Sequence, residues 1–141
     1  MRPNRIIVGE VRGAEAIDML QALNTGHDGS LSTGHANSPK DMLSRLESMV
    51  LMGMDLPLGA VQRQIASGID IIVHLGRHRD KSRKVLEVSE ILGYQDGEIL
   101  VSPLYRFEET GEKDGKIQGT WRKMDDLVHT QKLLAAGYKE V

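Results

Sequence analysis

Apolar positions along this chain change rhythm several times, and each change marks an element. Ile6, Ile7 and Val8 form a short β-branched run that reads as a buried parallel strand, with Gly9-Glu10 at its carboxyl end. Ala16, Ile17, Leu20 and Leu23 then recur at helical spacing, and Asn24-Thr25-Gly26 supplies terminating chemistry. Ser30 to Thr33 suits a second short strand, with His35 just past its end on a Gly-containing turn. Open α/β sheets bind ligands outside the carboxyl ends of their strands, so Glu10 and His35 are expected on one rim.

Ser38-Pro39-Lys40-Asp41 predicts a helix start by three signals: a Ser cap, Pro at the first helical position, and an acid three residues after the cap. Met42, Leu43, Leu46, Met49 and Val50 give that helix an apolar stripe ending near Gly53. Asp55-Leu56-Pro57 opens another, in which Leu58, Val61 and Ile65 share a face before Gly68. The pair is expected to cover the sheet. Ile69 to Leu75, apolar apart from Asp70 and His74, predicts a central strand, and Arg77 to Lys84 a polar turn. Val85 to Leu92 and Glu98 to Phe107 read as a hairpin around Gly93 to Gly97, with Ile99, Val101, Tyr105 and Phe107 on one face. Beyond Glu108 the chain turns polar, with Asp114-Gly115 as a turn and Met124 to Ala136 as a helix candidate before Gly137. The predicted organisation is an α/β core over 1–84, a β-hairpin appendage over 85–110 and a polar tail over 111–141.

Composition narrows the function classes. An apolar fraction of 40% with 27% charged residues is that of a soluble globular chain, and a net charge of −2 gives no electrostatic reason to invoke nucleic acid. Cysteine is absent, which removes disulfides and thiolate metal sites, and the spacing of the five histidines fits no usual zinc pattern. No apolar run approaches the roughly 20 residues needed to cross a bilayer. The basic stretch Arg77 to Lys84 carries Asp80 within it and no aromatic, so it reads as a solvated turn, with contact to a neighbouring subunit as the alternative.

Two segments carry the chemistry: Arg5 to Gly13 (RIIVGEVRG) and Thr25 to Ser38 (TGHDGSLSTGHANS). In this order and spacing they resemble the Walker B segment and histidine box of the type II and type IV secretion ATPase superfamily, especially the tight-adherence (Flp) pilus assembly ATPases. The likeness continues through Ser44 to Val50 and Gln64 to Leu75 and becomes loose after about Glu109. It implies the C-terminal part of a RecA-like P-loop ATPase core, with ATP and Mg²⁺ as cofactors, a hexameric ring, inner-membrane secretion or pilus platform proteins as partners, and a cytoplasmic location. No G-x-x-x-x-G-K-[ST] loop occurs in the chain. Since that loop precedes Walker B in the family, the chain is expected to be part of a longer protein and inactive alone. Where an extra strand separates the two Walker strands, the Walker A strand would lie between Ser30 to Thr33 and Ile69 to Leu75. Open sheet edges with exposed apolar side chains are therefore expected.

By the same resemblance, Glu10 holds Mg²⁺ through water, and His35 contacts the terminal-phosphate side of the nucleotide. His27 orients the loop, and Arg12 clamps Glu10 or phosphate oxygens. Each also has a plainer reading: Glu10 as a strand-end carboxylate capping the next helix near Arg12, the histidines as structural loop residues, Arg12 as a solvated side chain. Gly34 stands where many relatives carry a β-branched residue, a departure expected to loosen the turn. For the chain as a whole, the alternatives are a non-catalytic interaction module of a secretion system or a truncated product.

Overall fold

The computed structural model describes residues 7–25 and 29–139. Ile6 and His27, both singled out above, lie outside the described residues. The chain divides into two compact units: the described residues to Asp70 with Gly93–Leu100, and Ile71–Leu92 with the described residues from Val101.

In the first unit, β1 (Ile7–Val8) pairs in parallel with β2 (Leu31–Ser32), in the register Ile7↔Leu31 and Val8↔Ser32. Between them runs α1 (Ala16–Asn24), which buries Ala16, Met19 and Leu20. Helix α2 (Pro39–Gly53) begins as its sequence demands: Ser38 Oγ accepts from Asp41 N–H at 3.0 Å, and Asp41 Oδ2 accepts from Asn37 N–H at 2.9 Å. The first bond satisfies a donor that the first helical turn leaves without a partner, and the second ties the residue before the cap back onto that turn.

Helix α3 (Leu58–Gly68) buries Val61, Gln62 and Ile65, while Leu58 is exposed. The three helices pack chiefly on one another, and Gln62 Nε2 donates to Glu47 Oε1 at 3.2 Å between α3 and α2. The expected helical cover over a sheet is thus a three-helix cluster, because two strands of two residues each offer little face to cover.

The second sheet runs in the order β3 (Ile71–Arg77), β4 (Arg83–Gln95), β5 (Glu98–Lys113), β6 (Lys116–Lys123). The β3–β4 and β5–β6 pairs are antiparallel. The predicted central strand is therefore an edge strand whose neighbour is β4. Its apolar run reflects what a strand could bury on both faces, and the described residues supply only part of that cover.

The predicted hairpin is present and longer than expected. It turns at Asp96-Gly97, where both φ values are positive (51° and 82°), the requirement of a two-residue turn matched to strand twist. Of the stretch read as a polar tail over 111–141, the part up to Lys123 is instead the end of β5 and all of β6. Phe107 pairs with Trp121 at 5.4 Å between ring centroids, and Ile117 is buried. Alternation of Ile117 and Trp121 with polar residues was the signal of that strand. The helix predicted over Met124 to Ala136 contracts to α4 (Gln131–Ala135).

Candidate active site

Glu10 and His35 meet just beyond the paired ends of β1 and β2. His35 Nε2 stands 2.8 Å from Glu10 Oε1, and Arg12 Nη2 stands 2.5 Å from Glu10 Oε2. The strands hold this convergence past their last rung: Val11 N–H donates to Thr33 C=O at 2.9 Å, and the Thr33 hydroxyl donates to Gly9 C=O. Val11 itself is buried, Arg12 beyond it is exposed, and Glu10 before it is only partly exposed.

The electrostatics follow from the pairing. The Arg12 guanidinium, bonded to Glu10, holds its carboxyl below the usual carboxylate range, and His35 acts in the same direction. Arg12 is correspondingly pushed up by Glu10. The carboxylate is therefore ionised throughout the physiological range, as a hard-cation ligand must be.

Glu15 takes the helix-entrance place that the plainer reading gave to Glu10. Its Oε1 accepts from the N–H groups of Arg12 and Gly13 at 2.7 and 3.1 Å, at the entrance to α1. Those backbone bonds hold its own pKa low. The anion at the helix entrance is thus Glu15, and Glu10 is left to Arg12 and His35. An acid two residues after Gly13, at a helix start, was the available sequence signal.

Gly34 has a concrete packing role in place of the expected looseness. A β-carbon there would stand 2.7 Å from Met42 Cε and 3.0 Å from its Sδ, so the missing side chain admits the Met42 thioether of α2. The turn carrying His35 is braced by that contact.

The donor set fits Mg²⁺. Glu10 Oε1 is buried and has no hydrogen bond of good geometry, with His35 Nε2 standing 2.8 Å from it. Among the described residues no group of three or more His, Asp or Glu converges, which is unlike a dedicated protein cage for a metal. Mg²⁺ commonly keeps its waters and uses one or two carboxylates beside substrate phosphates. One anionic oxygen without a well-formed hydrogen bond matches that mode.

The sequence pattern described as type II/IV secretion system protein matches residues 1–124. The chain belongs to that family. A Mycobacterium tuberculosis protein assigned by name to conjugal transfer is 41% identical over 99 residues, covering 70% of this chain and 28% of that protein. The conjugal transfer protein TrbB of Rhizobium radiobacter is 38% identical over 109 residues, covering 77% of this chain and 32% of its own length. Among solved structures, the VirB11 ATPase from the Brucella suis type IV secretion system, in complex with sulphate, superposes with a TM-score of 0.60 at 34% identity. That superposition covers 64% of this chain and 28% of the other, so this secretion-family chain spans about a third or less of the relatives it matches. The likeness bears out the expected α/β fold of a secretion ATPase core.

Proposed function

We propose that this chain supplies the acid-and-histidine side of a Mg-ATP hydrolysis site in a motor for type II or type IV secretion or pilus assembly. The observation that carries the reading is the meeting of Glu10, Arg12 and His35 at the carboxyl ends of a parallel strand pair, the place where such sheets bind ligands. Membership of the secretion family and the VirB11 likeness support the same reading.

Mg²⁺ would neutralise charge developing on the phosphates. Glu10, kept ionised by Arg12, would hold the ion through water. His35, held beside Glu10, would offer a donor toward the terminal phosphate, and a rearrangement of that pair would report whether the phosphate is present. Arg12 would share its guanidinium between Glu10 and phosphate oxygens, and His27 of the same box would orient the loop. Catalysis of phosphoryl transfer rests on positioning and electrostatics, so the phosphate loop absent from this sequence is indispensable to it. The complete motor is proposed to be a hexameric ring on the cytoplasmic side, docked on inner-membrane platform proteins.

The test grafts residues 1–124 into the matching segment of the Brucella suis VirB11 ATPase and measures phosphate release. The graft is expected to hydrolyse Mg-ATP, with Glu10→Gln and His35→Ala each lowering the rate roughly 10- to 100-fold. Undiminished hydrolysis by the Glu10→Gln graft would overturn the assignment. The chain by itself is expected to release no phosphate.

A further inference from the structure

We propose that Thr33 is the positioning residue that sets Glu10 against His35, an inference that rests on the functional reading of that pair but is argued from the strand geometry. Among the described residues the parallel ladder has two rungs, Ile7↔Leu31 and Val8↔Ser32. Beyond them, Thr33 grips the acid turn on both sides of Glu10. Its carbonyl accepts from Val11 N–H at 2.9 Å, and its hydroxyl donates to the Gly9 carbonyl.

The carbonyl bond belongs to any residue at position 33, since the backbone supplies it. The hydroxyl bond belongs to Thr or Ser alone. In a regular parallel ladder a strand carbonyl is taken up by a backbone N–H of its neighbour, and here a side chain does that work where the backbone departs toward His35.

The grip matters because little else fixes the distance. His35 is 86% exposed in its side chain, so water competes for the imidazole on most sides. On the histidine side, the Gly34 turn is braced by Met42. On the acid side, the Gly9–Arg12 segment is held by Thr33 and by the Glu15 carboxylate. Thr33 is the side chain that joins the two sides, two residues before His35 and bonded to the carbonyl next to Glu10. Its hydroxyl therefore transmits any movement of the histidine turn to the Walker B acid, and the reverse.

The experiment is NMR on this chain, comparing wild type with Thr33→Val, which keeps the shape and β-branching, and Thr33→Ser, which keeps the hydroxyl. In wild type and Thr33→Ser, a nuclear Overhauser contact between the His35 ring and the Glu10 side chain is expected, with a protected Val11 amide. In Thr33→Val the contact should vanish and the Val11 amide should exchange roughly 3- to 10-fold faster. Amide positions in β4 and β5 serve as the check that each variant is folded; if Thr33→Val disturbs them, Thr33→Ala against Thr33→Ser makes the same comparison. Retention of the contact without the hydroxyl overturns the proposal. Because no nucleotide is used, that outcome is separate from failure of the ATPase reading, which the Glu10→Gln graft decides.

Discussion

Glu90 holds the main chain of His129: its Oε2 accepts from the His129 N–H at 2.9 Å, while Oε1 accepts from Val128 N–H at 2.8 Å. The carboxylate lies in β4, 1% exposed, and the His129 ring returns to the Leu92 carbonyl at 3.1 Å. Met124 N–H adds a bond to Leu104 C=O at 2.7 Å. A segment without regular structure is thus fastened to the sheet at several points, and the buried carboxyl oxygens are matched by two backbone donors.

Glu90→Gln keeps one oxygen but turns an amide N–H₂ toward a backbone donor, leaving buried groups without partners. The expected cost is roughly 1–3 kcal/mol, read as a lower denaturation midpoint in urea. Amide exchange should quicken at Val128 and His129 first. Unchanged exchange there would show that Glu90 does not fasten the segment.

A second carboxylate predicts a pH dependence. Asp80 accepts from the Ser82 hydroxyl and N–H and, at 2.8 Å, from Ile117 N–H, which ties the β3–β4 turn to the start of β6. The Ser82 hydroxyl first, then the backbone donors, hold its carboxyl well below the ordinary 3.8. With the folded value depressed, the unfolded chain binds the proton more readily, so the stabilisation is complete above the ordinary value and is lost as pH falls from about 4 downward. Asp80→Asn should therefore lower stability at neutral pH, and the gap from wild type should narrow progressively below about pH 4. A gap independent of pH, in unfolding curves run across that range, would assign the effect to shape alone.

Local chemistry was the most legible part of this sequence. The α2 cap at Ser38 depends on residues adjacent in the chain and is found as read, and the hairpin connection expected around Gly93 to Gly97 narrows to Asp96-Gly97. The Glu10 and His35 rim was legible for the same kind of reason, since each follows directly on its strand. What failed depended on distant partners. The Ile69 to Leu75 run says only that a strand there can bury apolar side chains, not what lies beside it. Strand β6 was hidden because its few apolar residues, Ile117 and Trp121, stand among charges, and their worth comes from Phe107 and the sheet. Glu15 was overlooked because its role is to bond backbone groups, which no residue pattern displays.

The edge position of β3 carries the last prediction. Ile71, Val73 and Leu75 are 41%, 51% and 64% exposed, in alternation along a strand that β4 pairs on one side. An exposed, apolar edge strand offers a template of N–H and C=O groups together with side chains that favour leaving water. The chain is therefore expected to associate with itself, its mass in light scattering rising with concentration. Val73→Lys places a charge in the middle of that row and should shift the protein toward monomer without lowering its unfolding midpoint much, because the side chain is already half in water. Rising mass that Val73→Lys leaves untouched would move the contact elsewhere on the molecule, and a clean monomer for the wild-type chain at all concentrations would show that this edge is closed to pairing.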